Sequence, residues 1–231
     1  MIRAIVWMIC VYLALLLFGC QQKNNAMQFQ QNQAELEAVP PLQSGPDIKI
    51  SAGAYCAAAR LLESQGSLKE AAARYRRAIE IDPAYGPAYN GYALLCMRLT
   101  EYPEAERTFK KALAMAPNDA SLHNNLAYLY IVQKQYQNAE AELKNALAAD
   151  PEFNLAKMNL AVVLGRLKRF AEARQYLEQV CRPYEAVYNL GVLHQFAGEV
   201  DQARKYYEQA LLENPRFTPA RVALDNLASA N

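Results

Sequence analysis

Residues 86–119 read GPAYNGYALLCMRLTEYPEAERTFKKALAMAPND, and residues 120–153 read ASLHNNLAYLYIVQKQYQNAEAELKNALAADPEF. Laid one beneath the other, they set small residues on small and bulky on bulky: Ala93 on Ala127, Ala105 on Ala139, Phe109 on Leu143, Pro117 on Pro151. Positions that recur at one fixed interval mark a stacked repeat, in which each unit buries its apolar face against its neighbours. The register extends in both directions as Ala71, Ala105, Ala139, Ala173, Ala203; as Ala59, Ala93, Ala127, Ala161, Gly191; and as Ala78, Ala112, Ala146, Val180, Ala210. Every step is 34 residues except the last, which is 30. Four residues after each member of the first series stands a large group, Tyr75, Phe109, Leu143, Leu177 or Tyr207, and Pro83, Pro117, Pro151 and Pro215 punctuate the ends.

Apolar spacing of i, i+3, i+4 and i+7 makes each unit two amphipathic helices joined by a short turn, the second ended by a proline that cannot continue it. The small residues belong where two helix axes cross, because close approach leaves no room for more than a methyl. The aromatic or leucine one turn later fills the space beside the crossing. This pattern resembles the tetratricopeptide repeat family: Ala105 and Phe109 match its signature, as does Leu190-Gly191. Tyr55, Tyr89, His123, Lys157 and Val187 stand at its first aromatic position, the last three departing from it. The resemblance implies an all-α fold, a right-handed superhelical solenoid of five helix-turn-helix units at 52–85, 86–119, 120–153, 154–183 and 184–217.

Residues 218–231 follow as a capping helix and tail, with Val222, Leu224 and Leu227 expected toward the stack and Arg221, Asp225 and Asn226 outward. A solenoid needs such an end to avoid exposing an apolar face. The four missing residues fall between Val180 and Gly191, about one helical turn, so the second helix of the fourth unit should be short.

Residues 1–19 read as an export signal, with Arg3 as the charged start and an apolar run from Ala4 to Phe18. That run is shorter than the roughly 20 residues needed to span a bilayer. Leu17-Phe18-Gly19-Cys20 resembles a bacterial lipobox, and the resemblance implies that Cys20 becomes the acylated first residue of the mature chain. Acyl chains supply about 0.8 kcal/mol per buried CH₂, so such an anchor would be durable. Gln21 after the cysteine, in place of Asp, implies sorting to the outer membrane with the folded part facing the periplasm. Residues 20–50, rich in Gln and then carrying Pro40, Pro41 and Pro46, read as a tether reaching about 25 to 30 Å.

The chain has 231 residues, is 53% hydrophobic and carries 24 Lys and Arg against 23 Asp and Glu, so it should fold and has no basic footprint for nucleic acid. Its two histidines, His123 and His194, sit at helix packing positions, and no acid, base and nucleophile converge by spacing. No catalytic site, metal site, cofactor or small-molecule substrate is therefore expected. Tyr184, Tyr188, Tyr206 and Tyr207 read as wedges of the repeat more than as a stack for bases. Cys96 reads as a small core hydrophobe.

The resemblance places the first helix of each unit along a concave groove that holds a protein or peptide partner. Groove positions then read Arg60, Leu94, Arg98, Asn124, Tyr128, Ile131, Val132, Met158, Val162, Tyr188, Val192 and Phe196, an apolar lining of the kind that marks a partner site. Beside them Asn125, Asn159 and Asn189 recur at one position, with Asn90 and Asn124 one place earlier. Such a row resembles the asparagine ladder of family members that hold extended peptides, since an amide both donates and accepts. The alternative role for the same amides is to bond the neighbouring helix. Lipid anchor, tether and repeat array together resemble the pilus-assembly lipoproteins, the type IV pilus pilotin and the tight-adherence (Tad) pilus lipoprotein. The implied function is a non-catalytic scaffold that assists assembly of a secretin or pilus machine. The alternative is an adaptor docking peptidoglycan hydrolases or a periplasmic protease.

Overall fold

The computed structural model describes residues 50–229, so the signal, Cys20 and nearly all of the tether lie outside the described residues. The described residues form eleven α-helices: α1 Ala52–Ser64, α2 Leu68–Ile81, α3 Gly86–Arg98, α4 Tyr102–Met115, α5 Ala120–Val132, α6 Tyr136–Ala149, α7 Asn154–Arg166, α8 Phe170–Val180, α9 Pro183–Phe196, α10 Val200–Glu213 and α11 Thr218–Ser229. The chain divides into two compact units, and the boundary between Ala156 and Lys157 falls inside α7.

In the first unit the hairpins α1–α2, α3–α4 and α5–α6 each pack internally, and α2 packs on α3 as α4 does on α5. The small residues are the contact points: Ala59, Ala71, Ala78, Ala93, Ala105, Ala127, Ala139 and Ala146 are completely buried. The wedges Tyr75, Phe109 and Leu143 are buried beside them. Where the wedge is a tyrosine its hydroxyl needs an acceptor. Tyr75 donates to Glu63 at 2.8 Å, and in the second unit Tyr207 donates to Gln195 at 2.5 Å. The equivalent places opposite Phe109, Leu143 and Leu177 hold Met97, Ile131 and Gly165, which offer no side-chain acceptor of that kind.

The turn inside each hairpin is closed by a residue in the left-handed region: Gly66, Thr100, Lys134, Lys168 and Gly198, all with φ between 61° and 80°. The next backbone N–H then reaches back over the helix end, as in Glu101 to the Cys96 carbonyl at 2.8 Å and Gln135 to that of Tyr130 at 2.8 Å. This satisfies carbonyls that the helix C-terminus leaves without partners.

A second recurrent device lies between hairpins. The Tyr89 hydroxyl donates to the Pro83 carbonyl at 3.0 Å, and His123 Nε2 is 2.9 Å from that of Pro117. An Arg221 guanidinium N–H donates to the Pro215 carbonyl at 2.6 Å. Three different side chains thus serve one carbonyl position, six residues back, so His123 departs from the family's aromatic without losing the contact.

In the second unit, α8 has 11 residues where α10 has 14. The chain re-enters a helix at once through Pro183, and the buried Glu185 accepts the Arg182 backbone N–H at 3.1 Å and pairs with its guanidinium. α11 buries Ala220 and Leu227 against Tyr207 and Ala210, with Ala223 and Leu224 partly covered. Val222, expected toward the stack, is instead 49% exposed. One hundred degrees of helical rotation separates it from Ala223, which takes the inner place. At the other end, Leu61 is 59% exposed although Leu95 and Leu129, at the same place in the next hairpins, are completely buried. Among the described residues no helix precedes α1 to cover it.

Candidate functional site

The first unit presents an apolar column. Leu94 on α3 and Tyr128 and Val132 on α5 are 37%, 45% and 41% exposed, and Ile131 beside them is half-buried. Leu94 and Tyr128 occupy one place in successive hairpins, so the helix stacking itself lines them up. Exposing large apolar groups in a row rather than singly is the pattern of a binding surface.

Polar groups frame the column. Asn125 Nδ2 donates to Asn90 Oδ1 at 2.9 Å, linking α5 to α3. Each amide still has one oxygen or nitrogen that this bond does not use, so helix bonding and ligand bonding are compatible at this pair. Asn124, on the contrary, is buried and offers no accessible amide. Arg98 pairs with Glu63 at 2.6 Å, an ion pair that also takes in the Tyr75 hydroxyl, and Arg60 is exposed nearby in sequence.

In the second unit the corresponding residues are more enclosed. Met158, Asn189 and Val192 are buried, while Asn159, Val162, Tyr188 and Phe196 are half-buried. Tyr188 meets Tyr207 and Phe217 with ring centroids 5.4 and 5.3 Å apart, and the Arg166 guanidinium lies 4.4 Å from the Phe196 ring centre. Asn189 Nδ2 points to Cys181 Sγ at 3.5 Å. The three asparagines that share a sequence position therefore do not share an environment.

The histidines are built into the packing. His123 Nδ1 is 2.6 Å from Glu142 while Nε2 faces the Pro117 carbonyl. His194 is stacked between Phe170 and Tyr206, its Nδ1 2.7 Å from Glu199. Burial pushes the Cys56 and Cys96 thiols up to about 11, so neither is a ready nucleophile. No group of three or more His, Cys, Asp and Glu side chains suited to a metal occurs among the described residues.

Sequence models of the tetratricopeptide repeat match residues 62–129 and 97–143, 124–186 and 184–217, together two-thirds of the chain. None of these models belongs to an enzyme family. No curated protein sequence matches the chain. Among solved structures, YrrB, a tetratricopeptide repeat protein with an unusual peptide-binding site, is 26% identical with a TM-score of 0.59, covering 76% of this chain and 93% of its own. The PilF protein of Pseudomonas aeruginosa is 25% identical at a TM-score of 0.59, over 78% of this chain and 83% of that one. PilW, a widely conserved type IV pilus biogenesis factor, is 21% identical at a TM-score of 0.59, over 69% and 76%, and shows the shared fold.

Proposed function

The chain belongs to the tetratricopeptide repeat family, and from that premise we propose that it is a non-catalytic interaction scaffold that holds an extended segment of a partner protein along Leu94, Tyr128, Ile131 and Val132, with Asn90 and Asn125 bonding the partner's backbone. The exposed apolar column carries this reading, because large apolar side chains that stay partly open to water in a row present more apolar surface than single exposed residues do. The anchor is Cys20, acylated at the outer membrane, with the repeats facing the periplasm and the residues between acting as a spacer. The machine served is a type IV or Tad pilus or its secretin. The peptide-binding site of YrrB and the pilus role of PilW are consistent with that class.

Two experiments test the reading. Photo-crosslinking in cells from positions 94 and 128, with Asn90→Ala/Asn125→Ala as control, should capture a secretin or pilus subunit, and the control should lose it. Capture of peptidoglycan hydrolases or a protease would replace assembly with the adaptor role. Metabolic labelling with a fatty acid should mark the protein and fail in Cys20→Ala; labelling that survives would refute the anchor.

A further inference from the structure

The junction that follows the shortened repeat is bordered differently from the others. At three other junctions a polar side chain crosses the turn to the proline carbonyl six residues back, as Tyr89, His123 and Arg221 do. Between α8 and α9 the donor half of that device is missing: Cys181, in the place of the proline, still has its carbonyl, but Val187, six residues on, has no polar side-chain atom to send. A cleft of about 250 Å³ lies between α8, α9 and α10; a cleft also lies at the Pro117–His123 junction, but no carboxylate lines that one. Ala186, Val187 and Leu190 give it apolar walls, and the charged groups around it are Glu178, Glu213 and Arg174.

We propose that this cleft receives a single arginine or lysine side chain of a partner protein, its methylene stem against Val187 and Leu190 and its charged head at Glu213 and Glu178. Size argues for one side chain, since cavities that take whole small-molecule ligands run to about 300–1,000 Å³. Charge argues for a cation. Arg174 Nε donates to Glu178 at 2.6 Å, whereas Glu213 accepts from the neutral Gln209 amide at 3.3 Å. Two carboxylates thus border the cleft against one guanidinium, leaving a negative charge for an incoming head group to balance. A long basic side chain is the one type that buries an apolar stem while keeping its charge at a polar edge, and arginine adds a fork that fits a carboxylate.

The test uses the full chain and fluorescein-labelled pentapeptides of four alanines around one central Arg, Lys, Leu or Glu, with binding read by fluorescence polarisation at up to millimolar protein. The Arg and Lys peptides should bind more tightly than the Leu peptide, and the Glu peptide least. Glu213→Gln should weaken the Arg peptide by about tenfold, the worth of one charge-assisted contact, and leave the Leu peptide unchanged. Val187→Tyr, which restores the side chain found at Tyr89, should fill the cleft and abolish binding while the helical circular dichroism stays that of the parent. Tyr128→Ala, on the apolar column, should leave binding of these peptides intact, so this site and the groove can fail separately. The proposal is overturned if the Arg peptide does not bind, if the Leu peptide binds as well, or if Val187→Tyr binds like the parent.

Discussion

Gly91→Ala adds a single methyl, yet the surroundings of Gly91 make it a severe change. A Cβ there would lie 2.4 Å from Cε1 of Tyr75, 2.6 Å from Cζ and 2.9 Å from the hydroxyl. Carbon atoms in contact prefer about 3.5–4.0 Å, so the ring would have to retreat by more than about 1 Å. It has nowhere to go: Ala71, Ala78, Ala59 and Cys56 belong to the same buried cluster, and the hydroxyl is held by Glu63 at 2.8 Å. Overpacking of this kind costs about 1–3 kcal/mol, and loss of the hydroxyl bond about 1 more. At roughly 2–4 °C per kcal/mol for a chain of this size, the midpoint should fall by about 4–16 °C. Stacked repeats can melt in parts, so thermal unfolding by circular dichroism should be paired with hydrogen exchange, with protection lost first in α2 and α3. Tyr75→Leu should relieve the clash, because Leu143 and Leu177 fill the same place in later repeats, so the double variant should be more stable than the sum of the single costs implies. Strict additivity, or a Gly91→Ala protein that melts with the parent, would refute the close approach of ring and backbone.

Thr100 holds a left-handed conformation at φ 62° that a β-branched residue adopts at a cost, so Thr100→Gly should raise the unfolding free energy by about 0.5–1 kcal/mol, read as a higher denaturation midpoint, net of the entropy that glycine gains when unfolded. A lowered midpoint would mean that Thr100 contributes more through its side chain than its backbone costs. Leu61→Gln should change stability by less than about 0.5 kcal/mol, whereas Leu129→Ala, at the same repeat position but fully buried, should cost about 2–5 kcal/mol. Equal effects would show that Leu61 is covered in solution. The Cys56 and Cys96 thiols ionise near 9 when unfolded and only at about 11 when folded, so their contribution is intact below pH 9 and lost as pH rises toward 11. The alkaline decline in chemical-denaturation midpoint over that window should be shallower in Cys56→Ala/Cys96→Ala; an identical slope would exclude the thiols.

The interval of 34 residues decided most of the architecture, because a repeat contacts only its neighbours and the same small residue must therefore meet the same partner each time. That logic located the crossings at Ala59, Ala71 and Ala78 and their counterparts, the wedges beside them and the short α8. Two further regularities follow the same intervals without a distinctive residue pattern to mark them: the turn series 66, 100, 134, 168, 198, and the pairing of Tyr75 with Glu63 and of Tyr207 with Gln195. The turn series is hidden because Thr and two Lys interrupt its glycines, although the backbone is held left-handed by its hydrogen bonds whatever the side chain.

Tertiary structure alone decided which members of a repeated set stay equivalent. Periodicity assigns a residue its place in a hairpin, but exposure and bonding depend on what lies across from it, and that changes at the ends of a stack and wherever a repeat is cut short. Leu61 and Val222 are open to solvent for this reason, while Leu129 is not. Asn125 reaches Asn90 and Asn189 reaches Cys181 because different partners stand opposite the same position. The cleft beside Val187 takes its acidic edge from Glu178 on α8 and Glu213 on α10, which border one volume only when those helices are in place.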